Sequence, residues 1–175
     1  MFTDMQVILL VAISADGKIA QTADQRSLDW TSKEDLNFFI EKTKEVGTLI
    51  MGRKTFETIG KPLKGRRTIV MTRGVRGEGL GVSLETGTVE FTEESPKELL
   101  FRLSQEKCER VVVAGGSSIY TQFLKDGLIT DLYLTIEPVL FGQGVPLATD
   151  FDRINMRLVE AKTLGEAAVL LHYQL

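Results

Sequence analysis

The sequence predicts an α/β protein with a mostly parallel sheet, because short apolar runs alternate with helix-like segments along its 175 residues. Residues 7–14 are almost continuously apolar, which is typical of a strand buried on both faces of such a sheet. Residues 157–175 instead indicate two consecutive strands and therefore an antiparallel C-terminal hairpin. The sequence contains no linker or internal repeat, so we expect a single domain over residues 1–175.

The first half of the chain predicts three buried strands separated by a loop and two helices. Residues 21–29 are polar and irregular, and indicate a mobile loop. In "WTSKEDLNFF", Thr31 is the expected N-cap and Glu34 the partner that closes a capping box. The predicted strands cover residues 7–14, 47–52 and 66–73, and the predicted helices cover residues 31–46 and 53–60.

A glycine-rich segment, residues 74–87, predicts a loop, and the alternation of strands and helices continues after it. Its "GEGLG" lacks the spacing of a dinucleotide fingerprint. A helix is expected after Ser95, with this serine as N-cap and Pro96 in the first helical position. The remaining predicted strands are residues 88–92, 110–116 and 131–140, and a further helix ends at Gly127.

The composition restricts the classes of function. The hydrophobic fraction of 43% and the net charge of −3 are ordinary for a globular protein and give no reason to expect nucleic-acid binding. Cys108 and His172 are the single residues of their kinds, so we expect no disulfide framework and no metal site. No apolar run is as long as the roughly 18 residues of a membrane span, and no basic leader is visible, so we expect a cytoplasmic protein.

The strongest indication of a phosphate site is "VVVAGGSSIY", residues 111–120. A buried strand ends in Gly115 and Gly116, and a helix follows at once with Ser117 and Ser118. The free N–H groups and the dipole of a helix start favour an anion, and the glycines allow a pyrophosphate to approach the backbone. A tight turn capped by serines explains the same pattern, so both readings stay open at this point.

A second indication is "IMGRKTFETIG". Here a strand ends at Gly52, and two cations and a hydroxyl follow at a helix start, in Arg53, Lys54 and Thr55. The next strand ends in Thr72 and Arg73, which adds a cation at the same edge of the sheet. Together these residues suit a nucleotide with several phosphates, including a 2′-phosphate, and so indicate NADPH. The alternative is a solvated basic turn.

Asp35 is the candidate for proton chemistry. Phe38 and Phe39 follow it at helical spacing, so its carboxylate is expected on an apolar face. Burial there would raise its pKa and suit it to handle a proton near neutral pH. The alternative is a carboxylate that only benefits from the helix N-terminus.

These motifs together resemble the dihydrofolate reductase family. The block "LIMGRKTFETIGKPLKGRRTIVMTR", residues 49–73, carries the most specific part of the resemblance. The spacing of Trp30, Asp35 and Phe39, the turn "VVVAGGSSIY" and the strand "DLYLT" add to it. The resemblance implies a three-layer fold, in which about four helices flank a mixed, mostly parallel sheet of eight strands with an antiparallel C-terminal hairpin.

The resemblance also implies an activity and residue roles. The implied reaction transfers a hydride from NADPH to C6 of 7,8-dihydrofolate, with protonation of N5. Asp35 would contact the pterin, Trp30 would hold a water near it, and Arg66 would bind the glutamate carboxylate. The implied substrate-binding residues are Ala12, Phe39, Ile59, Leu63, Arg66 and Thr135. The implied cofactor-binding residues are Ala20, Gly52, Arg53, Lys54, Thr55, Thr72, Arg73, Gly115, Gly116, Ser117, Ser118, Ile119 and Tyr120.

Two other functions remain open on the sequence. "ISADGKIA" and "EPVLFGQGVPL" look more like the 5-amino-6-(5-phosphoribosylamino)uracil reductases of riboflavin biosynthesis, which share the fold. The segment "GQG" also replaces the family's glycine–aspartate–threonine that communicates with the active-site loop, which is longer here. A non-catalytic NADPH-binding module is the third candidate. Arg66 favours folate, since a fixed guanidinium suits a carboxylate tail. We expect a small-molecule substrate and a monomer or homodimer.

Overall fold

The computed structural model describes residues 5–74 and 87–175, and a mixed sheet of eight strands runs through these residues. Two further strands, β2 and β8, form a separate small sheet. The strands are β1 (Gln6–Ser14), β2 (Lys18–Ala20), β3 (Thr48–Gly52), β4 (Arg67–Met71), β5 (Thr88–Thr92), β6 (Arg110–Val113), β7 (Asp131–Glu137), β8 (Val145–Pro146), β9 (Arg157–Leu164) and β10 (Ala168–Gln174). The helices are α1 (Lys33–Val46), α2 (Arg53–Ile59), α3 (Pro96–Gln105) and α4 (Ser117–Lys125). A short 3-10 turn, Ser27–Asp29, precedes α1.

The strand order of the large sheet is β5-β4-β3-β6-β1-β7-β10-β9. Neighbours are parallel from β5 to β7, whereas β10 runs antiparallel to both β7 and β9. The predicted mixed sheet, its antiparallel C-terminal hairpin and its four flanking helices are therefore confirmed.

The two faces of the sheet carry separate parts of the core, and β1 shows why its sequence is apolar throughout. Val7, Leu9 and Val11 pack with residues of α3 and α4 on one face. Ile8 and Leu10 pack on the opposite face, where Phe38 and Phe39 of α1 also lie. Because alternate residues of a strand point to opposite faces, a strand between two helical layers needs an apolar residue at every position.

The start of α1 differs from the prediction. Ser32 is the N-cap, and its Oγ accepts a hydrogen bond from the Asp35 N–H at 3.2 Å. Thr31 belongs instead to the preceding turn, where its N–H donates to the Ser27 carbonyl at 2.9 Å. The predicted capping box of Thr31 and Glu34 is therefore wrong. The expected cap at Ser95, with Pro96 at the helix start, is confirmed.

Several strand boundaries also differ. Strand β7 ends at Glu137, before Pro138, which has no N–H to continue a ladder. Strand β4 is shorter at both ends than the predicted 66–73. The pairing of β2 with β8 was not predicted. Apart from its two ends, the predicted loop 74–87 lies outside the described residues. No helix in the described ranges is long and apolar enough to cross a membrane.

Candidate active site

A cleft of about 1520 Å³ lies at the carboxyl ends of the parallel strands β1, β3, β4 and β6. The helices α1, α2 and α4 supply its other walls, and this edge of an open parallel sheet is where ligands bind in α/β folds. The predicted site residues that line the cleft are Ala12, Ala20, Asp35, Phe39, Gly52, Arg53, Lys54, Thr55, Ile59, Leu63, Arg66, Thr72, Arg73, Gly115, Gly116, Ser117, Ser118, Ile119 and Tyr120. Trp30 and Thr135 lie outside the lining.

The turn between β6 and α4 forms a cradle of backbone. Gly115 has a φ of +113°, and a Cβ added there would lie 3.2 Å from the Tyr120 hydroxyl. A Cβ added at Gly116 would lie 3.2 Å from the Thr55 Oγ1, inside the cleft. No side chain caps α4, whose N-cap is Gly116. The open cradle and the uncapped N–H groups together fit the phosphates of a dinucleotide.

The cationic side of the cleft is less uniform than the sequence suggests. Arg53 donates through its Nε to Glu57 at 2.6 Å within α2, so part of its charge is neutralised. Within the described ranges, Lys54 and Arg73 form no ion pair. Glu93 also lines this end and accepts a hydrogen bond from the Gly74 N–H at 2.9 Å. An anion here would therefore meet both free cations and a carboxylate.

Asp35 lies in the first turn of α1 and is partly buried at the cleft wall. Burial raises the pKa of its carboxyl, the hydroxyl of Thr135 opposes the rise, and the negative charge of Glu137 adds to it. The helix N-terminus favours the anion, whereas desolvation, the largest cause of the upward shift, favours the neutral acid. A carboxyl with a raised pKa in a cleft is suited to hold or pass a proton.

Trp30 and Thr135 carry two buried polar atoms near this wall, Nε1 of Trp30 and Oγ1 of Thr135. Neither forms a hydrogen bond of normal geometry with any group among the described residues. Thr135 pairs in register with Ala12 of the cleft, and Trp30 packs edge-on against Phe141 with ring centroids 5.0 Å apart. Buried polar groups are normally paired, so Nε1 of Trp30 is available to a ligand or a water, whereas Oγ1 of Thr135 lies close enough to Asp35 to lower the pKa of that carboxyl.

Arg66, which precedes β4, lines the cleft and contacts Thr43 near the C-terminal end of α1. It is only 6% exposed, and its Nη1 donates to the Thr43 Oγ1 at 2.9 Å. Its Nε donates to the Lys64 carbonyl at 3.2 Å, and burial lowers the pKa of the guanidinium. No carboxylate in the described part of the chain pairs with it. A fixed, buried and unpaired guanidinium at a cleft is suited to bind an anionic group of a ligand.

Three residues that hold this region together were not predicted from the sequence, namely Asp16, Ser32 and Glu137. Glu137 is 2% exposed and accepts hydrogen bonds from Ser32, the N-cap of α1. The carboxylate of Asp16 accepts hydrogen bonds from the N–H groups of Phe141 and Gly142, and so joins the turn after β1 to the "GQG" segment. An acidic residue inside the apolar strand "DLYLTIE", two positions after Thr135, is the signal that indicates Glu137.

Comparison with known sequences gives a consistent family. The family model described as dihydrofolate reductase matches residues 6–162. An uncharacterised protein of Bacillus subtilis strain 168, YwjB, is 30% identical, with 97% of this chain and 98% of that protein covered. The dihydrofolate reductase of Buchnera aphidicola subsp. Baizongia pistaciae is 31% identical, with 93% of this chain and 88% of that protein covered.

Two solved structures share the fold. A putative riboflavin biosynthesis protein from Shewanella sp. PV-4 has a TM-score of 0.82 at 20% identity, covering 97% of this chain and 98% of that one. Dihydrofolate reductase from Enterococcus faecalis, in complex with NADP(H) and RAB-propyl, has a TM-score of 0.71 at 26% identity. That match covers 97% of this chain and 95% of the other. The sequence similarity thus points to dihydrofolate reductases, whereas the backbone is closer to the riboflavin protein.

Proposed function

Because the chain belongs to the dihydrofolate reductase family, we propose that it reduces 7,8-dihydrofolate to 5,6,7,8-tetrahydrofolate with NADPH. The family match supports an oxidoreductase of the group to which the dihydrofolate reductases belong. The choice of substrate within that group rests on the chemistry of the cleft.

The observation that carries this choice is an apolar wall between a carboxylate and a guanidinium. Asp35 stands at the start of α1, and Thr43, which binds Arg66, follows eight residues later. The two positions are therefore about 12 Å apart along the helix axis. Leu36, Phe39 and Ile40 line the cleft between these two positions of α1, and Ile59 and Leu63, which belong to the same apolar cluster as Phe39, also line it.

A substrate that matches this wall has a polar ring at one end, an apolar middle and an anionic tail. Dihydrofolate has this order in its pterin, its aminobenzoyl group and its glutamate. The ribosyl chain of an aminouracil substrate would bring hydroxyl groups against Phe39, Ile59 and Leu63. Burying hydroxyl groups without hydrogen bonds is costly, so the apolar middle of the cleft favours dihydrofolate.

The cofactor would be held by the glycine cradle and by the cations at the strand ends. NADPH, when bound, supplies the hydride. Gly115, Gly116 and the N–H groups at the start of α4 would receive the pyrophosphate, and Lys54 and Arg73 would attract the further phosphate. Ala20, at the edge formed by β2 and β8, would border the nicotinamide.

Asp35 would hold the polar edge of the pterin ring and increase the basicity of N5. The Nε1 of Trp30 is an unpaired donor, so it would orient a water beside that carboxylate. In this arrangement Asp35 does not protonate N5 directly but stabilises the protonated ring. The segment after Ala20 would exclude bulk water from the reacting atoms.

The runner-up is reduction of 5-amino-6-(5-phosphoribosylamino)uracil. Lys61 and Lys64 line the cleft together with Arg66, and three cations would suit a phosphate as well as a carboxylate. The likeness to the riboflavin protein supports the same fold and does not favour one substrate. A non-catalytic NADPH-binding module remains the third candidate.

Following NADPH absorbance with each substrate in turn separates the three candidates. We expect oxidation of NADPH with 7,8-dihydrofolate and none with the aminouracil ribosyl phosphate. Turnover of the aminouracil alone would replace our first choice by the second. Binding of NADPH without turnover of either substrate would leave the non-catalytic module.

A further inference from the structure

Glu137 is a buried carboxylate that no cation neutralises among the described residues. Its Oε1 accepts the Ser32 N–H at 2.8 Å and the Ser32 hydroxyl at 2.7 Å. Buried carboxylates are normally paired with a cation, since removing a charge from water is costly. Two hydrogen bonds from one serine offset only part of that cost.

The hydrogen bonds of Ser32 continue to Asp35. The Ser32 hydroxyl donates to Glu137, so its lone pairs remain free to accept the Asp35 N–H at 3.2 Å. These two hydrogen bonds of the Ser32 hydroxyl link the end of β7 to the first turn of α1. Asp35 therefore takes its position from a contact between residues 105 positions apart in the sequence, Ser32 and Glu137.

Strand geometry brings Glu137 to the same wall as Thr135. Residues two apart in a strand point to one face of the sheet, and Tyr133, two before Thr135, packs on the α1 face. Thr135 and Glu137 thus both face the start of α1. Their effects on Asp35 are opposite, because the hydroxyl lowers the pKa of that carboxyl and the second negative charge raises it.

We propose that Glu137 is a positioning residue of the site, which orients Asp35 through Ser32 and keeps it beside a second negative charge. The inference rests on the proposed function in one respect, namely that Asp35 handles a proton during reduction. Tyr120 of α4 is the other titratable group near Asp35. Burial, and to a smaller extent the negative charge of Asp35, raise the pKa of its hydroxyl, which donates to the Leu10 carbonyl and stays neutral.

Glu137→Gln tests the role of the charge. Glutamine keeps an oxygen that can accept both hydrogen bonds of Ser32 but removes the negative charge. We expect the pKa of Asp35 to fall in this variant, because a neighbouring like charge disfavours the ionised form of a carboxyl. Nuclear magnetic resonance titration of the ¹³C-labelled Asp35 carboxyl measures this in the free protein, without turnover.

Asp131→Asn is the matched control. Asp131 is a buried carboxylate of the same strand, 4% exposed, and lies about 20 Å from Glu137 at 3.3 Å per residue. Its partner is His172, whose Nε2 lies 2.7 Å from the Asp131 Oδ1. We expect this variant to leave the titration of Asp35 in place. An unchanged titration in Glu137→Gln, or an equal shift in both variants, would overturn the electrostatic role.

Ser32→Ala tests the positioning role and does not depend on whether Glu137→Gln folds well. It keeps both carboxylates and removes the hydroxyl that joins them. We expect hydrogen exchange of the Asp35 amide to accelerate by about tenfold, the effect of losing an N-cap. An unchanged exchange rate would show that Ser32 does not transmit the contact.

Steady-state kinetics distinguishes this inference from the proposed function. If wild-type protein turns over dihydrofolate, kcat/KM should decline with rising pH at a lower midpoint in Glu137→Gln than in the wild type. If no turnover occurs but the Asp35 titration shifts as expected, the proposed function fails and the positioning role of Glu137 stands. If turnover occurs but the midpoint does not move, Glu137 has no electrostatic role in catalysis.

Discussion

The carboxylate of Asp16 accepts a hydrogen bond from the Gly142 N–H at 2.8 Å, across 126 positions of sequence. Its other oxygen accepts the Phe141 N–H at 3.0 Å and the Ser14 hydroxyl at 2.6 Å. These bonds hold the "GQG" segment against the turn between β1 and β2. The resemblance implies that an aspartate in this segment contacts the active-site loop. The "GQG" segment contains no aspartate, and here Asp16 of the turn between β1 and β2 makes the contact instead.

Asp16→Asn should loosen that link. The hydrogen bonds of Ser14, Phe141 and Gly142 lower the pKa of Asp16 from 3.8 to about 2. A lowered pKa means that the folded state favours the anion, so the link is complete above about pH 4 and is lost as the pH falls through 2. At neutral pH we expect the variant to accelerate hydrogen exchange of the Phe141 and Gly142 amides by about tenfold.

Asp24→Asn is the control for this change, because Asp24 is an exposed residue of the same region. Equal exchange rates in the two variants would show that Asp16 does not hold the segment. A decrease of a few-fold in kcat/KM is also expected in Asp16→Asn alone. We expect this decrease because Ala20 and Val145, which line the cleft, belong to β2 and β8, the strand pair beside the Asp16 contact.

The layers of the fold could be predicted because their signals are local. The continuous apolar run of β1 reflects burial on both faces, and the glycines at the ends of β3 and β6 mark the turns at the cleft. The pairing of β2 with β8 could not be predicted in this way. Its strands have three and two residues, which is too short for a periodic pattern.

The site was predictable to the extent that single residues carry its chemistry. Asp35 is an acid on an apolar helix face, and Arg66 follows a specific motif. The support of Asp35 by Glu137 depends on strand register and on the choice between two adjacent hydroxyl residues, Thr31 and Ser32, as the N-cap. Neither is visible in a local pattern, because both depend on tertiary contacts.

Arg66→Lys should weaken dihydrofolate binding and leave NADPH binding unchanged. The guanidinium is held by Thr43 and by the Lys64 carbonyl, and a lysine cannot keep those bonds and bind a carboxylate with two further donors. We expect KM for dihydrofolate to rise on the order of tenfold, while kcat changes less. Steady-state kinetics and cofactor titration measure the two effects.

Arg67→Lys is the matched control one residue later. Arg67 pairs with Glu90 at 2.7 Å and with Glu106, away from the cleft lining. The control should reduce the free energy of unfolding slightly without changing KM. Equal loss of cofactor and substrate affinity in Arg66→Lys would contradict the assignment of Arg66 to the substrate tail.

Gly116→Ala should weaken NADPH binding with little effect on stability. The backbone of Gly116 is extended, at φ −89° and ψ −159°, so alanine fits it, but the added Cβ meets Thr55 Oγ1 at 3.2 Å in the cradle. We expect the Kd for NADPH to rise by about tenfold, as a small displacement of a phosphate contact would cause. Fluorescence titration of the cofactor measures it.

Gly127→Ala gives the opposite pattern at the other end of α4. Gly127 has a φ of +64° and open space around it, so alanine is strained there but touches no ligand. We expect the free energy of unfolding to fall by about 1 kcal/mol with NADPH affinity unchanged. A Gly116→Ala variant that behaves like Gly127→Ala would argue against the cradle as the phosphate site.

Asp35→Asn should slow dihydrofolate reduction and at the same time stabilise the fold. The folded state raises the pKa of Asp35 above its reference value of 3.8, so ionisation of the wild type opposes folding. Below about pH 3.8 the carboxyl is protonated in both states and the variant gains nothing. As the pH rises through the folded pKa the wild type loses stability, while asparagine does not ionise, so the variant becomes the more stable protein at neutral pH.

Urea unfolding of both proteins at pH 4 and pH 7.5, together with kcat/KM at the same values, tests this. We expect the stability advantage and the loss of activity to grow together with pH, with kcat/KM reduced on the order of 100-fold at the higher value. NADPH affinity should stay unchanged, because Asp35 belongs to α1 whereas the turn between β6 and α4 forms the phosphate cradle. A variant that is less stable at neutral pH would mean that the helix N-terminus outweighs desolvation, and Asp35 would then be an ordinary ionised residue of the first turn.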